Sequence, residues 1–96
     1  MTNSYETMFI LHPEQDQEQA QEFLDSLQSL IEKFEGKIIE VKDWGTRRLA
    51  YEINKLKEGH YFLITFKSGA RIVPELEHFF RVSDKVMRYL VIREKG

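Results

Sequence analysis

No cysteine occurs in the 96 residues of this chain, and only two prolines do. The missing cysteine removes thiol nucleophiles, iron–sulfur clusters and cysteine-ligated zinc in one step, and it suits a reducing compartment. Long apolar runs are absent too. The longest, such as Met8 to Leu11, fall far short of the ~20 residues that cross a bilayer. The start, Met1-Thr2-Asn3-Ser4, lacks a basic segment followed by an apolar one. No secretory signal is read, and a cytoplasmic protein is expected. His12, His60 and His78 lie far apart without metal-ligand spacing, so each reads as a surface or edge histidine and no metal or cofactor is expected. The length supports a single domain, 1–96, with one core. A chain of this size buries roughly 65% of its unfolded surface, enough to dispense with disulfides.

Net charge is −2, a small number that hides a division. Residues 1–40 hold nine acids and two bases, net −7, whereas residues 41–96 hold seven acids and twelve bases, net +5. Such asymmetry suggests a basic surface on an otherwise acidic protein. A nucleic-acid footprint is one reading. A solvated acidic helix followed by scattered surface lysines is the other.

Periodicity divides the chain into six elements. Tyr5, Thr7, Phe9 and Leu11 alternate with Glu6, Met8 and Ile10. Apolar groups on both sides predict a central strand, ended at His12-Pro13 because proline cannot donate to a ladder. Ala20, Phe23, Leu24, Leu27, Leu30, Ile31 and Phe34 recur at spacings of three and four and predict a helix over 16–34. Asp16 and Gln19 form a capping-box pattern, and Gly36 is expected to take the left-handed conformation that stops the helix. The acids Glu14, Asp16, Glu18 and Glu22 suit the helix dipole and need no metal to explain them. Lys37–Lys42 alternates as a strand, is interrupted at Asp43-Trp44-Gly45, and continues over Arg47–Ile53. Residues 54–59 read as a polar connection. His60–Lys67 is a strand with Phe62, Ile64 and Phe66 on one side and Tyr61, Leu63 and Thr65 on the other. Arg71–Arg81 is a second helix, with Pro74 confined to its first turn. Val86–Arg93 closes the chain as a strand, with Val86, Arg88, Leu90 and Ile92 alternating against Met87, Tyr89, Val91 and Arg93.

The order strand, helix, strand, strand, helix, strand favours an α+β, ferredoxin-like βαββαβ fold. Its four-stranded antiparallel sheet carries both helices on one face. Phe62, Ile64 and Phe66 should meet the helices together with Thr7, Phe9 and Leu11. The open face then displays Met8, Ile10, Tyr61, Leu63, Arg88, Leu90 and Ile92. Contiguous apolar surface of this kind marks an interface.

The run Trp44 to Ile53, W-G-T-R-R-L-A-Y-E-I, supplies no nucleophile and no general base. Gly45 can provide a bulge where a side chain would obstruct the bend. Arg47 and Arg48 then point to opposite sides of a ribbon in which Leu49, Tyr51 and Ile53 alternate with Ala50 and Glu52. Guanidinium groups on a stiff strand suit planar, bidentate contacts to phosphate or carboxylate. The run reads as recognition, not catalysis.

Several segments carry a resemblance over essentially the whole chain. They are Tyr5-Glu6-Thr7 with Phe9-Ile10-Leu11 and Pro13; Gly45-Thr46-Arg47-Arg48-Leu49-Ala50-Tyr51-Glu52-Ile53-Asn54; Glu58-Gly59 with Tyr61-Phe62; Glu75-Leu76-Glu77; and Arg81, Asp84, Val86 and Arg88. With these the chain resembles the bacterial small-subunit ribosomal protein six family. The resemblance implies a non-enzymatic constituent of the small ribosomal subunit. It also implies binding to the central domain of 16S ribosomal RNA together with small-subunit ribosomal protein eighteen, with no membrane and no small-molecule substrate. On this reading Arg47, Arg48, Arg81 and Arg88 contribute phosphate contacts, supported by Lys55 and Lys57. Arg47 or Arg48 pairing with a surface carboxylate is the competing role. Protein eighteen is expected to cover part of the open face at Met8, Ile10, Tyr61, Leu63 and Leu90, with Trp44 beside them. The chain stops at Glu94-Lys95-Gly96, so the tail modification of some relatives is not expected.

Three other classes share this element order, and one of them, a metabolite-sensing regulatory domain, has no feature of the sequence in its favour. An RNA-recognition motif stacks bases on aromatics of its first and third strands, and residues 57–66 are superficially similar to its third strand. Met8, Ile10 and Leu63, with only Tyr61 aromatic, support that poorly. An acylphosphatase-type enzyme needs a glycine-rich phosphate loop with an arginine after the first strand. His12-Pro13-Glu14-Gln15 stands there instead, with an acid that repels phosphate.

Overall fold

The computed structural model describes residues 2–53 and 55–94. Met1, Asn54 and Lys95-Gly96 lie outside the described residues. With them lie part of the N-terminal reading, the first residue of the expected polar connection, and the last two residues of the expected short ending. The elements run β1 (Asn3–Leu11), α1 (Gln17–Lys33), β2 (Lys37–Ile53), β3 (Leu56–Ser68), α2 (Ile72–Val82) and β4 (Val86–Arg93). The strands form one sheet in the order β2-β3-β1-β4, and every neighbouring pair is antiparallel. The expected βαββαβ fold is the one observed, and β1 is central. Among the described residues no helix is long and apolar enough to cross a membrane.

One sheet face carries both helices. Tyr5, Phe9 and Leu11 of β1 and Phe62, Ile64 and Phe66 of β3 are buried with Phe23, Leu27 and Ile31 of α1 and Ile72, Leu76 and Phe80 of α2. Phe9 is the hub: its ring centroid lies 5.4 Å from Phe23, 5.3 Å from Phe62 and 5.2 Å from Phe80. Both helices therefore meet the same strand side chain, at the separations aromatic pairs favour. Thr7 shares this face, where its hydroxyl donates to the Leu90 carbonyl at 2.9 Å. That bond answers the cost of a buried polar group.

The ends of α1 show how sequence signals translate. Asp16 accepts from the Gln19 amide at 2.7 Å, and the Gln19 side chain accepts from the Asp16 N–H at 3.0 Å. The capping box is complete. At the other end the left-handed residue is Glu35, φ 61°, and not Gly36 as expected. The Gly36 N–H donates to the Ile31 carbonyl at 2.8 Å and the Glu35 N–H to Glu32 at 2.9 Å, the two bonds of a Schellman cap. Glycine is needed at 36 for space. A Cβ there would sit 2.7 Å from Ile31 Cγ2 and 2.9 Å from the Lys67 carbonyl oxygen.

Two boundaries and one facing differ from the sequence reading. β2 is one 17-residue strand, bulged between Ile38 and Glu40 and between Asp43 and Gly45, where the sequence predicts an interruption. Residues 56–59 belong to β3, and Ile53 pairs with Leu56 across a tight turn in which Lys55 has φ 68°. Lys55, Lys57 and Glu58 of the polar run are exposed, as on a hairpin arm, while Gly59 is buried against the sheet. At the start of β4 the register shifts between Ile10 and Leu11, which pairs Leu11 with Val86 and Ile10 with Arg88. Val86 thereby packs against the core, leaving Arg88, Leu90 and Ile92 on the open face. A bulge is invisible to a period-two count.

Candidate nucleic-acid interface

The open face is set by cross-strand register. Lys42, Leu63, Met8 and Leu90 form one row across the four strands, and Gly45, Tyr61, Ile10 and Arg88 the next. Leu90 is 49% exposed and Ile92 46%, while Met8, Tyr61 and Leu63 are half-buried. Ile10 faces the same side but is only 9% exposed. The physical reason is Gly59, where an added Cβ would lie 2.3 Å from Ile10 Cγ2. Ile10 is folded against bare backbone and offers a partner little area. Tyr61 is the only aromatic of these two rows, which leaves the sheet a poor base-stacking platform.

Beyond Asp43 the β2–β3 hairpin becomes a basic arm. Gly45, φ 74°, takes the left-handed conformation at the second bulge, in keeping with its place in the sequence, and its N–H donates to Asp43 Oδ1 at 2.8 Å. His60 Nε2 lies 2.5 Å from the same carboxylate oxygen, and the His60 ring stacks on Phe62 at 4.3 Å. Burial alone would raise the Asp43 carboxyl pKa. The hydrogen bonds from His60 and Gly45 and the nearby His60 charge outweigh it and hold the carboxyl below its usual value. The bend is thus tied to the sheet by one anion.

The arm collects most of the expected basic residues. Arg47 Nε donates to the Trp44 carbonyl at 3.1 Å, and its guanidinium carbon lies 5.8 Å from the Trp44 ring centroid. Arg48 and Lys57 line one hollow together with Glu52, and Lys55 sits in the turn. Arg88 joins the arm from β4, its guanidinium 4.9 Å from the centroid of Tyr51. Arg81, at the end of α2, lines a cleft of about 440 Å³ with Arg88 and with Ile53 of the arm. Among the described residues the ion pairs are Lys42–Glu40 and His60–Asp43. Neither Arg47 nor Arg48 is paired with a carboxylate there, and the same holds for Arg81, Arg88, Lys55 and Lys57. Pairing of the adjacent arginines with a surface acid, the competing expectation, is not what the geometry displays.

No sequence pattern points to the Tyr51–Arg88 contact. The two residues are far apart in the chain, and no local spacing links them. Alternation places Tyr51 on the same side as Leu49 and Ile53, yet it is 58% exposed. Leu49, two residues earlier on that side, is buried.

Comparison with known proteins agrees with this architecture. The sequence profile of the family described as Ribosomal protein S6 matches residues 4–93. The small ribosomal subunit protein bS6 of Carboxydothermus hydrogenoformans is 44% identical over 94 residues, covering 98% of each chain. That of Clostridium novyi is 45% identical over 89 residues, covering 93% of this chain and 94% of the relative. The crystal structure of 30S ribosomal protein S6 from Thermotoga maritima superposes with a TM-score of 0.91 at 35% identity, covering 98% of this chain and 89% of the other. From the signature around the adjacent arginines to the whole-chain superposition, the chain belongs to the ribosomal protein S6 family, proteins of the bacterial small ribosomal subunit and not a family of enzymes.

Proposed function

We propose that this chain is a non-catalytic constituent of the cytoplasmic small ribosomal subunit, that it binds the central domain of 16S ribosomal RNA, and that it does so paired with small-subunit protein eighteen. The observation that carries the RNA reading is the set of basic residues around the arm and β4, none matched to a carboxylate among the described residues. Unmatched guanidiniums and ammoniums bind phosphate without first breaking an internal pair. The partner reading rests on the open face. Met8, Leu63, Leu90 and Ile92 form apolar area that RNA covers poorly, and covering it is worth roughly 25 cal/mol per Å². One side of the sheet edge then holds protein, and the arm beside it holds RNA.

Mobility shift of a labelled central-domain fragment, with and without protein eighteen, tests this. Binding should strengthen in the presence of the partner and weaken with salt. Substituting Arg47→Ala and Arg48→Ala should reduce the salt slope by about 0.7–0.9 for each phosphate that is no longer neutralised. Unchanged slopes would exclude both arginines from the RNA surface. Absence of any binding by the pair would overturn the reading.

A further inference from the structure

The cleft at the junction of the arm, α2 and β4 brings two arginines to the edge of the core, where Phe80, Val86 and Tyr89 are already packed. Its floor is apolar, built by Phe80, Val86, Met87 and Tyr89, with Ile53 reaching in from the arm. Among the described residues its two charged groups are Arg81 and Arg88, and no acid lines it. The volume, about 440 Å³, falls within the range of roughly 300–1,000 Å³ in which compact ligand groups are held. Arg88 stands on Tyr51, guanidinium over ring at 4.9 Å. A guanidinium fixed against an aromatic ring is a preorganised plane, and its opposite face is a stacking surface for a second flat group.

We infer that this cleft takes one unpaired nucleotide of the ribosomal RNA. Its base stacks on the free face of Arg88 over the apolar floor, and its phosphate lies against Arg81. The inference rests on the RNA-binding reading above and adds to it a specific pocket and a division of labour. Arg88 acts as a plane, Arg81 acts as a charge, and Tyr51 is a positioning residue that holds the plane in place. Charge chemistry favours RNA over a protein occupant. An acidic peptide would satisfy the two arginines but would leave the apolar floor and the stacked plane without a matching flat group. A nucleotide supplies both a π-face and an anion.

The experiment uses the full chain with saturating protein eighteen and a central-domain fragment of 16S ribosomal RNA, titrated at several salt concentrations. Arg88→Lys keeps the charge and removes the plane. It should weaken binding about tenfold, the loss expected of one stacked base, with an unchanged salt slope. Tyr51→Leu should weaken binding severalfold, also at unchanged slope, and Tyr51→Phe should bind as wild type. Arg81→Gln should lower the slope by about 0.7, and Arg81→Lys should restore it. Chemical probing of base accessibility should find one unpaired base protected by wild type and released by Arg88→Lys. If wild type binds and Arg88→Lys binds equally well with the same protections, the pocket assignment fails while the RNA-binding reading stands. If Arg88→Lys instead loses pairing with the partner protein, the cleft is a protein site and the inference is overturned. If wild type itself fails to bind the fragment, the underlying reading has failed.

Discussion

The two faces of β1 are made from nearly the same residue types and have opposite fates. Tyr5, Phe9 and Leu11 lie at 2% exposure or less beneath the helices, while Met8, the residue before Phe9, remains half-buried on the open side. Hydrophobicity alone does not separate them. What separates them is whether the chain supplies a cover. The two helices cover one face and nothing within the described residues covers the rest of the other. An apolar side chain left over after the fold has used its own helices is therefore a statement about partners, whereas one beneath a helix is a statement about stability.

The largest effects should come from breaking the covered side. Phe9→Ala removes the ring that both helices touch, and a cost of about 3–5 kcal/mol is expected, read from the shift in urea midpoint. Unfolding at a midpoint close to wild type would show that Phe9 is not the hub its ring contacts indicate. Gly59→Ala works on the open side. Its Cβ would meet Ile10 Cγ2 at 2.3 Å, and the displaced side chain should cost about 1–3 kcal/mol. A neutral result would mean that Ile10 has room to turn away, which would also return it to the surface available to a partner.

A smaller stability effect with a larger functional one is expected from Leu63→Asp combined with Leu90→Asp. Both residues share the uncovered row with Met8. Stability should fall by no more than about 1 kcal/mol, since neither side chain lies in the helix-covered core. Pairing with protein eighteen should be abolished, and RNA assembly with it. Circular dichroism together with pull-down checks both halves. A folded double variant that pairs at wild-type strength would move the partner elsewhere.

The same contrast explains what is legible in the sequence. The covered side is readable because burial imposes a period: every third or fourth position in α1 and every second in β1 and β3. Capping of α1 is readable because Asp16 and Gln19 are three positions apart and act locally. The uncovered side obeys the same alternation until a bulge intervenes. Ile38 and Val41 both pair on the core side of the sheet despite their odd spacing, because the bulge between Ile38 and Glu40 absorbs a residue. The shift at Ile10/Leu11 does the same to Val86. The basic residues are identifiable from charge, but not their grouping. That Arg81 and Arg88 share a cleft depends on how α2 ends against β4, and that Arg88 meets Tyr51 depends on where the arm bends. Neither is encoded within any window of adjacent residues.

The bend itself permits the finest comparison, because Asp43 sits where the covered sheet gives way to the exposed arm. It pairs with Phe62, a core residue, yet its side chain is about half exposed. Its carboxyl is held below the usual value: burial works against the charged form, and His60 and the Gly45 N–H more than compensate. A carboxyl depressed in the folded state contributes stability that is present above its unfolded value, near 3.9, and that is lost as pH falls through the folded value. Asp43→Asn should therefore be less stable than wild type at pH 7, by a few tenths of a kcal/mol (on the order of 0.2–1), because solvent screens so exposed a pair. As pH falls through the folded value and the wild-type carboxyl takes up its proton, the two should converge. Urea titrations at pH 7 and at a series of acid pH values test this. A difference that persists unchanged at the acid pH values would assign the role of Asp43 to the shape of its hydrogen bond with Gly45 and not to its charge. The arm would then be set by backbone geometry alone.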